Sequence, residues 1–214
     1  MRHTILAALL VAAAPAAFAA PVPKDQLLVP PKDAAHYVVV STAGKHGDEY
    51  MWTLPDSRLA LRQSILLRGL IFETDETIRF GADKMPAEVV IRAVTPSGDA
   101  AEEFHLAGQQ ASSTSPVDKG SAAYSAPAFY LAQGGPFISG APQVNALLAA
   151  GRAGLALLPS GKASLEKISE LEVDGPDGKK KVELQLLRGT AQTPQAIWTL
   201  DGKFFAALLG LGLM

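Results

Sequence analysis

The stretch Leu70–Leu106, LIFETDETIRFGADKMPAEVVIRAVTPSGDAAEEFHL, decides the fold. Phe72, Thr74 and Glu76 alternate with Glu73, Asp75 and Thr77, the period of two that belongs to a strand. That segment stops at Gly81-Ala82-Asp83. Val89-Val90-Ile91-Arg92-Ala93-Val94 is dense in β-branched residues and closes at the turn Pro96-Ser97-Gly98-Asp99. In the third segment Phe104 and Leu106 lie on the face opposite Glu103 and His105. Short turns between three strands predict an antiparallel meander, because parallel neighbours need crossovers of about a dozen residues.

On the N-terminal side, His36 to Ser41 and Tyr50 to Leu54 read as two more strands, stopped by Gly44 and by Pro55-Asp56. On the C-terminal side, Gln109 to Ser125 is small and polar, fitting a loop or a weak edge hairpin. Pro142 suits the first turn of a helix whose Val144, Leu147 and Leu148 fall at i, i+3 and i+4 before Gly151 and Gly154. A short helical turn is also expected around Ala128 to Ala132. Strand character returns at Leu155 to Leu158, at Leu171 and Val173, and at Val182, Leu184 and Leu186. It ends with Ile197 to Leu200 and Phe204 to Ala206, which flank the tight-turn pair Asp201-Gly202. The fold class predicted is mainly β (α+β): a curved antiparallel sheet or half-barrel with one or two short helices on its concave side.

The first nineteen residues read as an export signal and stand outside the fold. Arg2 and His3 precede the apolar run Ile5 to Ala14, Pro15 breaks it, and Ala17-Phe18-Ala19 is a cleavage pattern. The run is shorter than the ~20 apolar residues a membrane-spanning helix needs. Cleavage after Ala19 implies a periplasmic or secreted protein. Residues 20–35, with Pro21, Pro23, Pro30 and Pro31, form a Pro-rich extended lead-in, and residues 36–206 form a single β-rich domain. Residues 207–214 are an apolar end, read as a last core strand whose continuation is missing.

Composition removes several function classes. The chain has 214 residues, with 19 Lys and Arg against 21 Asp and Glu. That balance gives no electrostatic reason to bind nucleic acid. Its basic run, Lys179-Lys180-Lys181, follows Gly175-Pro176-Asp177-Gly178 and fits the solvated shoulder of a hairpin. With no cysteine there is no disulfide, thiolate metal site, thiol nucleophile or lipid-modified N-terminus, so the mature chain is expected free of a lipid anchor.

The residues outline no reaction centre. Beyond the signal the histidines are His36, His46 and His105, with no H-x-H and no H-E-x-x-H among them. Ser160 in Pro159-Ser160-Gly161-Lys162 lacks the first glycine of a nucleophile elbow, and Ser164-x-x-Lys167 lacks its partner motifs. Asp75-Glu76 and Glu102-Glu103 are neighbours in strands, so the members of each pair point to opposite faces and form no dyad. They read as solvated strand positions. No phosphate cradle follows Gly134-Gly135, and no cofactor is implied. Binding is the activity these residues permit, in a concave apolar surface for which Trp52, Tyr124, Phe129, Tyr130, Phe137 and Trp198 are the candidate lining. Core packing is the commoner fate of any one of them.

Several scattered segments carry a resemblance. They are Glu76-Thr77-Ile78-Arg79-Phe80 with Gly81-Ala82-Asp83 and Met85-Pro86; Ala128-Phe129-Tyr130-Leu131; Leu155 to Gly161; Lys179 to Leu184; and Gln192 to Trp198 leading into Asp201 to Ala206. Together they resemble the N-terminal β-domain of exported bacterial proteins of the metal-dependent amidohydrolase superfamily. The resemblance implies a domain that precedes a catalytic (β/α)8 barrel and shapes access to it. The metal ligands of that family lie in the barrel, which this sequence does not contain, so none is carried over. The expectation is a non-catalytic periplasmic accessory domain, a truncated product or fragment, whose partner is an amidohydrolase barrel. The alternative is a stand-alone carrier holding a lipid or other apolar small molecule.

Overall fold

The computed structural model describes residues 24–96, 98–124, 127–152 and 154–208. The expected export signal, residues 1–19, and the last six residues of the apolar end lie outside that range.

The first nine strands follow one another as a meander. They are β1 (Ala35–Ser41), β2 (Gly44–Thr53), β3 (Leu59–Leu67), β4 (Leu70–Phe80), β5 (Pro86–Thr95), β6 (Gly98–Asp99), β7 (Glu102–Ala107), β8 (Gln110–Thr114) and β9 (Lys119–Ala123). Each pairs antiparallel with the next in the order β1-β2-β3-β4-β5-β7-β8-β9, with the two-residue β6 added to β5. The sheet curls into a half-barrel. The polar stretch after Gln109 is the hairpin β8–β9 at the sheet's end. Strand β3 has no counterpart in the alternation analysis. Ala60, Leu61, Arg62 and Gln63 are all buried, so both its faces are covered and the period of two is erased.

The second sheet runs β10 (Ala128–Tyr130), β11 (Leu155–Leu158), β12 (Lys162–Gly175), β13 (Gly178–Arg188), β14 (Gln195–Leu200) and β15 (Lys203–Ala207). Its first two strands are parallel, joined through the helix α1 (Gly140–Ala149); the rest are antiparallel. The helical turn expected near Ala128 is thus strand β10. Phe129 and Tyr130 point into different apolar clusters, an arrangement that suits a strand buried on both faces. Helix α1 buries Ala141, Pro142, Val144 and Leu147, and it packs against β12 and β15. The β14–β15 turn is the expected Asp201-Gly202 pair, both at positive φ (48° and 77°), as a two-residue hairpin of this hand requires.

Two cores result. One gathers Leu61, Ile78, Val89, Ile91 and Phe104 of the first sheet with Tyr130, Ile138, Ala141 and Leu158. The other gathers Phe129, Val144, Leu147, Leu157, Leu165, Leu187 and Ile197, with Phe80 and Phe204 packed against both. The lead-in is less extended than its prolines suggest. Lys24–Gln26 make a 3-10 turn, Leu27 is buried, and the Leu28 N–H donates to Asp75 Oδ2 at 2.7 Å.

Candidate functional site

The first candidate is a row of carboxylates under the segment that joins β10 to α1. Strand register places them. Glu49 of β2 lies opposite Gln63 of β3, Leu61 opposite Glu76 of β4, Glu76 opposite Ile91 of β5, and Ile91 opposite Glu102 of β7. Cross-strand partners share a face, so Glu49, Gln63, Glu76 and Glu102 all project to one side. The carboxylates are 5%, 2% and 3% exposed, respectively. Asp75, on the other face, is 1% exposed and is clamped by Arg92. The solvated reading therefore holds only for Glu103 and is overturned for Asp75, Glu76 and Glu102. The opposite-face argument stands within each pair. It did not reach Glu76 and Glu102, which share a face across β5.

Each of these groups is occupied by backbone or hydroxyl donors. Glu102 accepts from the N–H groups of Gln133 (2.9 Å) and Gly134 (2.9 Å) and from the Tyr130 hydroxyl. Gln63 Oε1 accepts from the Phe137 N–H at 2.9 Å, and Glu49 Oε1 from the Ile138 N–H at 3.0 Å. The Ser139 hydroxyl donates to Glu76. A half-buried stretch that makes no strand ladder gains by finding such partners for its amides. The carboxylates thus form a clasp that fixes residues 133–139 and aims α1 at the second core. Burial pushes the Glu49 carboxyl up to about 7, against the pull of the Ile138 and Phe137 amides. Burial likewise pushes Glu76 up to about 7, opposed by the Ser139 hydroxyl and reinforced by the negative charge of Glu102.

The clasp leaves no space for a side chain at Gly135. A methyl group there would sit 2.7 Å from Ser139 Oγ and 2.8 Å from Glu76 Oε2. Gly135→Ala is expected to destabilise the fold by about 1–3 kcal/mol, read as a lower urea midpoint with an unchanged slope.

The opposite face of the first sheet carries a different balance. Glu73 is joined by Arg62, by Lys24 at 2.6 Å and by Ser64 at 2.8 Å. Burial alone would raise its carboxyl, but these partners together hold it below its usual value.

The six aromatic residues named from the sequence fall in several places. Tyr130 stacks on Phe104 (centroids 4.2 Å apart, planes at 14°), and burial followed by the Glu102 contact raises its hydroxyl. Tyr124 packs against the same cluster and donates to Asp83. Phe129 is buried in the other core, and Phe137 begins the 3-10 turn above Gln63. Trp52 is half-buried opposite Ala60 on β2. Trp198 is half-buried on β14, opposite Leu184 and Ala206. The crevice beside Tyr130, walled by Phe104, Ser113, Leu158 and Pro159, holds about 10 Å³, room for one water. A wider open groove of about 370 Å³ is lined by Pro30, Pro31, Lys32, Ala34, His36 and Tyr50, where His36 stacks on Tyr50 and pairs with Asp48 at 2.6 Å.

Histidines 36 and 105 sit on β1 and β7, separated by four strands in the sheet order. Among the described residues no three of His, Asp and Glu converge as a metal site.

The second candidate is the outward face of the second sheet. Leu171 lies opposite Val182, and Val173 opposite Lys180; Ser169 lies opposite Leu184, which in turn faces Trp198. With Leu186 and Leu200 these residues form an apolar surface on the side away from Gln185, Leu187 and Ile197. Leu171 is 53% exposed and Val173 38%, while Val182, Leu184, Leu186, Trp198 and Leu200 are half-buried. The sequence hid this face because the alternation Leu-Glu-Val-Asp looks the same whether its apolar side is covered or open.

No family model, curated protein or solved structure matches the chain.

Proposed function

We propose that the chain is a non-catalytic accessory domain of an exported amidohydrolase-like protein, acting in the periplasm by docking against a catalytic barrel. The single observation that carries this reading is the apolar outer face around Leu171, Val182, Leu184 and Trp198. Contiguous apolar surface rimmed by charge marks an interaction site, and buried aromatic residues anchor such contacts. The buried carboxylates support the same reading from the other side. Catalytic acids present an oxygen to substrate, whereas Glu102 and Glu49 accept from amides of residues 133–138 and Glu76 from the Ser139 hydroxyl. The carrier alternative calls for a sizeable enclosed apolar cavity; the crevice at Tyr130 has room for one water, and the groove of about 370 Å³ is open and includes Lys32 and His36 in its lining.

The test mixes the purified chain, without residues 1–19, with the purified catalytic barrel of an exported bacterial amidohydrolase, followed by size-exclusion chromatography. Co-elution as a one-to-one complex is the expected result, with affinity falling about tenfold or more for Trp198→Ala and Leu184→Asp. Separate elution of the two proteins at micromolar concentration contradicts the reading.

A further inference from the structure

Strand β12 is fourteen residues long, yet β11 covers only its start. Leu155 and Ala156 pair with Ala163 and Lys162, and the Leu165 N–H donates to the Arg152 carbonyl at 3.1 Å. From Glu166 to Gly175 the strand is laddered on one side by β13, and among the described residues no strand pairs with its other side. An open edge of this kind is a template for another strand.

Its side chains define what could fit. Beyond the bulge between Lys167 and Ser169 the register is regular, so Glu170, Glu172 and Asp174 share one face and Leu171 and Val173 the other. A second copy of this chain is a poor occupant. A two-fold pairing that overlays the apolar faces also sets the carboxylates of Glu170, Glu172 and Asp174 opposite those of the other copy, and like charges across a ladder repel. A strand that alternates apolar residues with Lys or Arg meets both faces. Strand β13 shows the chemistry on the side already filled: Lys181 Nζ reaches Glu170 at 2.9 Å, Lys179 Nζ reaches Glu172 at 3.3 Å, and Val182 lies opposite Leu171.

We infer that the free edge of β12, from Ser169 to Gly175, captures an extended basic-apolar segment of a partner protein by strand addition. This rests on the reading of the chain as a docking domain and names the surface and the chemistry of the segment it takes. Backbone hydrogen bonds supply affinity, and Leu171 and Val173 extend the apolar surface. Lysine or arginine is selected chiefly by Asp174, which has no ion pair among the described residues, with help from Glu172, which Lys179 only partly occupies; Glu170 is already held by Lys167 and Lys181. The bulge at Ile168 ends the template on its N-terminal side.

The probe is a fluorescein-labelled seven-residue peptide of alternating valine and lysine, compared with its valine–glutamate counterpart by anisotropy. The lysine peptide is expected to bind at least about tenfold more tightly and to weaken with salt. Upon binding, amide exchange should slow within residues 169–174. The double variant Glu172→Lys/Asp174→Lys, with its fold checked by circular dichroism, should reverse the preference. Equal binding of the two peptides, or protection elsewhere in the chain, overturns the inference. If the barrel complex forms while the lysine peptide fails to bind, the edge inference falls and the docking reading stands. If the barrel does not bind while the peptide preference reverses as described, the edge is upheld and the barrel as partner is excluded.

Discussion

Replacing Glu102 with alanine is expected to destabilise the fold by about 2–4 kcal/mol. Three donors converge on it: the amides of Gln133 and Gly134 and the Tyr130 hydroxyl. Without the carboxylate the buried Tyr130 hydroxyl loses its acceptor at a cost of about 1–3 kcal/mol, while the part-buried amides of Gln133 and Gly134 lose a charged acceptor and are left to water. The truncation also opens space next to Phe104 and Tyr130, whose rings stack there. Urea titration followed by tryptophan fluorescence measures the loss. Glu103→Ala is the control, since Glu103 is exposed and its one ion-pair partner among the described residues is the exposed His105. A change within about 0.5 kcal/mol is expected for it.

The second large effect is on pH dependence, and its sign is opposite to the usual one for carboxylates. Glu49 and Glu76 are pushed from an ordinary value of 4.5 up to about 7, both by burial. Between those values the folded chain holds protons that the unfolded chain has lost. Stability from these two groups is therefore complete below about pH 4.5 and declines as the pH rises through about 7, by roughly 3 kcal/mol for each group at most. Glu73 and Glu183 act in the reverse sense. Burial raises both, but Lys24 and Arg62 outweigh it for Glu73, as Lys181, Lys167 and Arg152 do for Glu183, so each ends below its usual value. Their contribution is lost as the pH falls below the ordinary carboxylate range. The melting temperature should thus peak on the acid side of neutrality, near pH 5, and fall toward pH 8. Glu76→Gln should flatten that decline, because a neutral amide can still accept from the Ser139 hydroxyl. A melting temperature that rises steadily from pH 5 to 8 would contradict the assignment.

Much of the architecture was readable because turns and alternation coincide. The Leu70–Leu106 meander, the 201–202 hairpin and the helix at Pro142 follow from local chemistry: glycine and aspartate at turns, and a change from a period of two to a period near four. What escaped reading was set by long-range burial. Strand β3 lacks alternation because Ala60 to Gln63 are covered on both sides. Phe129 and Tyr130 resemble the start of a helix until two separate cores claim them. The clasp illustrates the limit most clearly. Glutamates in a strand read as solvated, and only the pairing of Glu76 with Ile91, and of Ile91 with Glu102, reveals that two of them share a face. The donors they serve lie 28 to 89 residues away in sequence. One signal was present: Gly134-Gly135-Pro136 sits between strongly apolar stretches, and its amides had to be satisfied by something.

The account depends on the buried carboxylates serving the amides and the Ser139 hydroxyl of residues 133–139 rather than a metal or a substrate. The direct measurement is metal content together with amide hydrolysis for the purified mature chain, made before and after incubation with zinc. No stoichiometric metal and no turnover above the uncatalysed rate is the result expected. One tightly held zinc per chain, with hydrolysis that a chelator abolishes and Glu76→Gln or Glu102→Gln removes, would contradict it.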